Sequence, residues 1–205
     1  YGTLPDTLLN AIDAIPNLSE SSRDQVKAMY PAIRDAKGAI RWVYQQADAL
    51  GIDTDHISVV GGSAGSIIGV ALGVINSEDY TNELTTSDDP TLITVNLDQS
   101  AVVHTVINHW GSAGGVNLLE QLDGVSRWDE SDSPLSIVHG TVDTTVAFSN
   151  AQELRAIYSS TGAPFAYYPL EGMGHGAWSA TVGGKTLNEL AFDFIVSSQG
   201  LSVIE

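Results

Sequence analysis

The chain has 205 residues, and its 25 acidic and 8 basic side chains give a formal net charge of −17 at neutral pH. Because nucleic acids and anionic membrane surfaces are bound through basic patches, this charge argues against both as partners. The absence of cysteine excludes disulfides and thiolate chemistry, and no apolar run reaches the roughly 18–20 residues that a membrane span needs. The length suits one domain over residues 1–205, and the composition leaves the compartment open between cytoplasmic and secreted.

In chain order, residues 1–30 are expected to form an irregular or helical segment, because Pro5 and Pro16 interrupt its apolar residues. From about Asp24 to Leu50, apolar residues recur at three- and four-residue steps, which predicts a helix. Pro31 is expected in the first turn of the main helix, where a missing N–H costs little. Gly51 is expected to end that helix.

Beyond residue 55, predicted strands alternate with predicted helices. The strands are expected at 56–60, 101–109, 135–139 and 165–170, and the helices at 67–74, 116–122, 147–160 and 187–198. This alternation predicts the α/β class, with a mainly parallel sheet and helices on both faces. Because ligands bind such sheets beyond the carboxyl ends of the strands, the residues just after each strand are the candidate site.

The segment Gly61-Gly62-Ser63-Ala64-Gly65 lies between the first of these strands and its helix. A Gly-x-Ser-x-Gly sequence in a strand–turn–helix context predicts a nucleophile elbow, in which Ser63 Oγ stands clear of the sheet. Glycine at 61 and 65 is expected to remove steric clashes in that strained turn. The bland alternative is a glycine-rich turn without a chemical role.

A serine nucleophile needs an imidazole base that a carboxylate holds in one tautomer. His175 lies in a glycine-rich loop after the last predicted strand, and Asp143 lies in the loop after the third, with Glu171 as the alternative acid. Ser63, Asp143 and His175 therefore all come just after strand ends. The other histidines are expected to have other roles. These are a structural hydrogen bond for His139, an exposed position for His56, and either a core position or a position supporting the site residues for His104 and His109.

A second Gly-Ser-Ala-Gly sequence, residues 111–114, comes after the predicted strand 101–109. Trp110 stands where the elbow needs glycine, so Ser112 is interpreted as an ordinary loop residue that could still line the site. Met173 and Trp178 flank His175 and are candidate substrate contacts together with Gly62, although core packing explains the first two equally well.

The order Ser63, Asp143, His175 resembles that of the α/β-hydrolase superfamily, and three segments resemble its esterase/lipase, carboxylesterase-like branch. These three segments are Asp35–Val43, Ala49–Asp53 and Ile57–Gly65. The segments around Asp143 and His175 are more similar to the feruloyl-esterase, dienelactone-hydrolase and peptidase-like branches of the superfamily. The resemblance covers about residues 32–195. It implies a serine hydrolase that cleaves small-molecule carboxylic esters through an acyl-enzyme, without a cofactor or metal, with the Ala64 N–H as one oxyanion donor.

The chain departs from that family in one respect. The family takes its second oxyanion donor from an earlier loop, often His-Gly-Gly-like, and no such sequence precedes Ser63. The chain therefore resembles the C-terminal two-thirds of a hydrolase, without the usual N-terminal strands. Because the first strand would then have a bare edge, we expect an N-terminal partner chain or a swapped homo-oligomer to complete the sheet.

Three other functions stay open at this point. One is a serine peptidase or amidase with the same triad, and another is a catalytically silent fragment or binding module without a complete oxyanion hole. A metal-dependent hydrolase is the least favoured, because no histidine spacing indicates a metal site. The acidic residues Asp129, Glu130 and Asp132 likewise lack the spacing of a known calcium loop.

Overall fold

A parallel sheet of four strands forms the centre of the computed structural model, which describes residues 4–204. The strands lie in the order β1 (Ser58–Gly62), β2 (Thr105–His109), β3 (Leu135–Gly140) and β4 (Phe165–Leu170). Each strand pairs in parallel with the next one along the chain. The predicted α/β class with a parallel sheet is confirmed.

The helices connect and cover these strands. They are α1 (Asp6–Ala14), α2 (Glu20–Leu50), α3 (Ala64–Val74), α4 (Gly114–Asp123), α5 (Ser149–Thr161) and α6 (Leu187–Ser198). Gly51 ends α2 in the left-handed conformation, with φ 67°, as predicted. The expected position of Pro31 is wrong, because the Ser19 side chain accepts the Ser22 N–H and begins the helix eleven positions before the proline.

Two strands begin later than predicted. Thr54–His56 forms a 3₁₀ turn that the Asp53 side chain caps, so β1 starts at Ser58 and continues into Gly61 and Gly62. Before β2, the His104 N–H donates to the Ile57 carbonyl at 2.7 Å, outside the ladder proper. A short hairpin of β5 (Thr181–Val182) and β6 (Lys185–Thr186) was not predicted from the sequence.

Helices cover both faces of the sheet, because successive strand residues point to opposite sides. On one face α3 packs closely: a Cβ on Gly69 would lie 3.5 Å from Val106 and 3.8 Å from Val59. On the other face, Ser198 at the end of α6 bonds the Thr105 hydroxyl at 2.8 Å. Because the four strands are parallel, their carboxyl ends lie at the same end of the sheet, between the two helix layers.

Strand β1 is an edge strand of this sheet. Among the described residues it pairs with β2 alone, and Val60 is 57% exposed on it. An exposed apolar strand edge is a template for pairing with another chain, and β1 presents such an edge.

Candidate active site

The turn at Ser63 has the strained geometry of a nucleophile elbow. Ser63 has φ 54° and ψ −122°, and its N–H donates to the His109 carbonyl at 2.9 Å. A Cβ on Gly61 would lie 2.4 Å from the Gly65 carbonyl carbon and oxygen, so glycine is required at 61. The expectation for Gly65 is wrong: a Cβ there would meet nothing within 4 Å, because it is the Gly65 backbone that crowds Gly61.

Ser66 braces the elbow from below. Its hydroxyl donates to the Gly61 carbonyl and accepts the His109 N–H at 2.9 Å. Ser66 is fully buried. It therefore ties the end of β1, the first turn of α3 and the end of β2 into one unit, which stabilises the unfavourable φ of Ser63.

The loop after β4 brings His175 over the sheet edge to Ser63. His175 Nε2 lies 3.0 Å from Ser63 Oγ, and Nδ1 lies 2.8 Å from Asp143 Oδ2. The loop turns at Gly172, which has φ 69°. It also packs tightly on β3, since a Cβ on Gly140 would lie 2.3 Å from the Met173 carbonyl oxygen. The structure thus brings together the three residues that the sequence singled out.

The Asp143 carboxylate is fully buried and accepts several hydrogen bonds. The amides of Thr145 and Val146 donate to Oδ1 at 2.8 and 3.0 Å, while His175 donates to Oδ2. Burial raises the pKa of Asp143, but the hydrogen bonds from His175 and these two amides outweigh it and hold the pKa below its usual value. The carboxylate is therefore ionised and aligned for the imidazole.

A second histidine, His139, supports the same carboxylate from inside the sheet. It is fully buried, and its Nε2 lies 2.8 Å from the Val146 carbonyl and 3.3 Å from Asp143 Oδ2. Because a carbonyl only accepts, Nε2 carries the proton. The structural hydrogen bond predicted for His139 is thus present, and it holds the loop that carries Asp143.

Ala64 is the first residue of α3, so its N–H has no acceptor within the helix and stays free for a ligand. This amide lies directly after Ser63, at the positive end of the helix dipole. It is the candidate oxyanion donor that the sequence indicates.

Aromatic side chains form one wall of the site. Trp178 is 57% exposed and lies over Gly62, where a Cβ would be 2.5 Å from its ring. The buried Trp110 packs edge-on against Trp178, with ring centroids 4.7 Å apart, and its ring centre is 6.2 Å from that of His175. Met173 is 44% exposed. Trp178 and Met173 therefore present apolar surface to solvent near His175, in keeping with a substrate contact.

Sequence reasoning missed the role of Trp110 in this wall. Its φ of 47° is unusual for a bulky residue and turns the chain just after β2. Beside it, His109 is buried with neither ring nitrogen paired among the described residues, and burial lowers the pKa of His109 to about 4. A tryptophan directly after a predicted strand was the available signal.

The remaining candidates lie apart from this constellation. His56 pairs with Asp53 at 2.9 Å, and Ser112 accepts the Gly114 amide in the turn before α4. Glu171 is exposed, and its carboxylate accepts one long hydrogen bond, 3.5 Å, from the Thr141 hydroxyl. Within residues 4–204, no group of three or more histidine, aspartate or glutamate side chains is arranged to hold a metal ion.

Comparison with known proteins identifies a family and solved structures that this chain resembles. The model of the BD-FAE family matches residues 18–124, slightly more than half of the chain. A comparison with curated protein sequences gave no significant match.

The structural matches include an esterase of the Planctomycetes species Thermogutta terrifontis. The apo form of esterase 2 is 26% identical with a TM-score of 0.62, and the match covers 86% of this chain and 68% of the esterase. The form phosphorylated by paraoxon is 25% identical with a TM-score of 0.64, over 86% and 66% of the two chains. The butyrate-bound form is 23% identical, with a TM-score of 0.63 over 84% and 67%, and supports the fold alone.

This chain therefore spans about two thirds of the length of the esterase chains that it matches. None of the helices in the described part of the chain is long and apolar enough to cross a membrane.

Proposed function

Since this chain belongs to the BD-FAE family, an α/β-hydrolase-like esterase family, we propose that it hydrolyses small-molecule carboxylic esters with Ser63 as the nucleophile. The observation that carries the proposal is the continuous chain of hydrogen bonds from Ser63 Oγ through His175 to Asp143, at 3.0 and 2.8 Å. The covalent reaction of Thermogutta esterase 2 with paraoxon supports a serine hydrolase mechanism for this fold.

In the first step Ser63 Oγ attacks the ester carbonyl carbon while His175 Nε2 takes the hydroxyl proton. The carbonyl oxygen becomes an oxyanion, to which the Ala64 N–H donates. Collapse of the tetrahedral intermediate breaks the bond to the alcohol oxygen, and His175 gives its proton to the departing alcohol. The acyl group is then an ester of Ser63.

In the second step His175 removes a proton from a water molecule, which attacks the acyl-enzyme carbonyl. Collapse releases the carboxylic acid and returns the proton to Ser63 Oγ. Asp143 keeps His175 in the tautomer that accepts at Nε2 and stabilises the imidazolium that forms in both steps.

The exposed faces of Trp178 and Met173, with Gly62 beneath the indole, are proposed to contact the substrate. Gly62 leaves room for Trp178 to lie directly over the elbow. An apolar wall beside the nucleophile favours an ester with an apolar acyl or alcohol group. The −17 net charge disfavours anionic substrates at low salt.

A further part of the proposal concerns the open side of β1. An additional polypeptide segment, either an N-terminal partner chain or a swapped copy of this chain, would pair with β1 and bring a second oxyanion donor to Ser63. One missing donor typically costs about 10²–10³ in rate. Sedimentation of a fully soluble, active 21.6 kDa monomer would contradict this part of the proposal.

The test of the function is p-nitrophenyl butyrate hydrolysis by the wild-type chain and by Ser63→Ala. Ser112→Ala is the matched control, because it removes the same hydroxyl from the other Gly-Ser-Ala-Gly turn. Turnover should disappear in Ser63→Ala alone, and mass spectrometry should find a fluorophosphonate on Ser63. Loss of turnover in neither variant would refute the proposal, and comparable cleavage of the matching anilide would favour an amidase.

A further inference from the structure

A cavity of about 650 Å³ lies at the opposite end of the strands from Ser63. The segments that come just before β2 and β3 line it, together with the segment after α3, so it sits at the amino ends of the strands. Helix α2 contributes Lys37 and Arg41, and Leu72, Leu97 and Val103 supply apolar wall. The volume is in the range of small-molecule sites.

The other strongly buried cations of the described chain have partners. Arg34 forms an ion pair with Asp89 at 2.6 Å, and Arg127 forms one with Asp79 at 2.9 Å. Lys37 donates to three backbone carbonyl oxygens at 2.6 to 2.8 Å. Such pairing is the rule, because an isolated charge is costly to remove from water.

Arg41 is only partly paired. It is 3% exposed, yet it forms no ion pair with any carboxylate of residues 4–204. Its Nη2 donates to the Thr81 hydroxyl at 2.8 Å and weakly to the Ser77 carbonyl, while its buried Nε has no acceptor. Its Nη1 has no hydrogen bond among the described residues and, unlike Nε, is not shielded from solvent, so Nη1 is the donor that Arg41 can offer to the cavity. Acidic residues far outnumber basic ones in this chain.

We propose that this cavity binds a small organic monocarboxylate, whose carboxylate pairs with Arg41 and whose apolar body lies against Leu72, Leu97 and Val103. The charge of the ligand is indicated by the remaining walls. Glu78 and Asp129 also line the cavity, so a doubly charged group such as phosphate would meet about twice the repulsion that a single carboxylate meets. Asp132 lines the same cavity, and burial raises its pKa to about 7, so its charge is reduced at and below neutral pH.

The test is isothermal titration calorimetry with sodium hexanoate, at an ionic strength held constant with sodium chloride. Hexanamide serves as the neutral analogue of the same shape, and sodium phosphate as the inorganic anion. We expect saturable binding of hexanoate, with hexanamide and phosphate each weaker by about tenfold or more, the usual effect of losing a charge-assisted hydrogen bond.

Three variants locate the site. Arg41→Met keeps most of the length of the side chain and removes its charge, while Arg155→Met removes the same charge from an exposed position outside the cavity. Leu97→Trp fills the cavity from a residue that is 44% exposed, so it tests the site even where Arg41→Met fails to fold. Hexanoate should bind about tenfold or more weakly to Arg41→Met and Leu97→Trp, and unchanged to Arg155→Met.

Several results would overturn the proposal. Binding beside Ser63 alone would leave the affinity of Arg41→Met equal to that of the wild type. Phosphate that binds as tightly as hexanoate, and depends on Arg41, would replace the organic acid by an inorganic anion. No heat with any of the three ligands at two well-separated temperatures would show that the cavity binds none of them, because binding that buries apolar surface cannot have zero enthalpy at both.

Discussion

Replacing Asp143 with asparagine tests the proposed triad through proton position alone, because the two side chains have nearly the same shape. The amides of Thr145 and Val146 donate to Oδ1, so the asparagine oxygen is expected to take that place. The asparagine NH₂ group then faces His175 Nδ1 at the position of the present 2.8 Å contact. Two donors cannot share one hydrogen bond, so Nδ1 becomes an acceptor.

The consequence lies at the other end of the imidazole. A neutral His175 that accepts at Nδ1 carries its proton on Nε2, 3.0 Å from Ser63 Oγ, and cannot remove the serine proton. Loss of the correct tautomer in such a triad lowers kcat by about 10⁴, or about 5.5 kcal/mol of transition-state stabilisation. KM should change little, because Asp143 is buried and does not contact substrate.

The assay is kcat and KM for p-nitrophenyl butyrate with wild type, Asp143→Asn and Glu171→Gln. The last variant makes the same change in the exposed alternative acid and should keep full activity. Circular dichroism and thermal unfolding establish that each protein is folded. A folded Asp143→Asn enzyme within about tenfold of the wild-type kcat would refute the assigned role, since the tautomer argument requires a far larger loss.

Three further predictions concern stability, the elbow and the second histidine. Burial raises the pKa of Asp132 in the folded protein from 3.8 to about 7, so the contribution of Asp132 to stability falls as pH rises from about 4 to about 7. Urea unfolding should therefore show Asp132→Asn to be more stable than wild type by up to about 4 kcal/mol at pH 8, with little difference at pH 4. Gly61→Ala should abolish activity and lower Tm, because the new Cβ would clash with the Gly65 backbone. In Gly62→Ala the Cβ would clash with the Trp178 side chain, which can move, so this variant should keep the fold. Thermal unfolding of the two variants measures the difference. His139→Phe removes the N–H that holds the Asp143 loop, so it should lower kcat about tenfold and alter the pH–rate profile while KM is unchanged. His139→Gln keeps a hydrogen-bond donor and should lose less activity. Equal kcat values for both variants and wild type would contradict a positioning role.

The candidate site could be predicted from the sequence because its three residues obey a local rule. Ser63, Asp143 and His175 each come after a strand with a strong apolar pattern, and the carboxyl ends of parallel strands, with the loops attached to them, lie at one edge of the sheet. Sequence separation does not weaken this rule, so the 112 positions between Ser63 and His175 were no obstacle.

Features that depend on distant partners could not be predicted in the same way. Strand β1 extends into Gly61 and Gly62 because they pair with Asn108 and His109, although glycine has a low strand propensity. The wall beside Ser63 depends on the left-handed backbone of Trp110, which no local pattern indicates. Pro31 lies inside α2 because capping at Ser19 and the packing of a 31-residue helix outweigh the one hydrogen bond it removes.

The edge-on pair of Trp110 and Trp178 gives the protein an intrinsic optical reporter at its proposed reaction centre. One indole is 1% exposed and the other 57% exposed, with their rings in contact and His175 beside them. A molecule that covers Trp178 would move the emission of Trp178 to shorter wavelength, and protonation of His175 would quench the emission of the neighbouring Trp110. The other two tryptophans, Trp42 on α2 and Trp128 beside Tyr158, supply a background emission that such events leave unchanged. Occupancy of the site can therefore be followed in solution without any attached label.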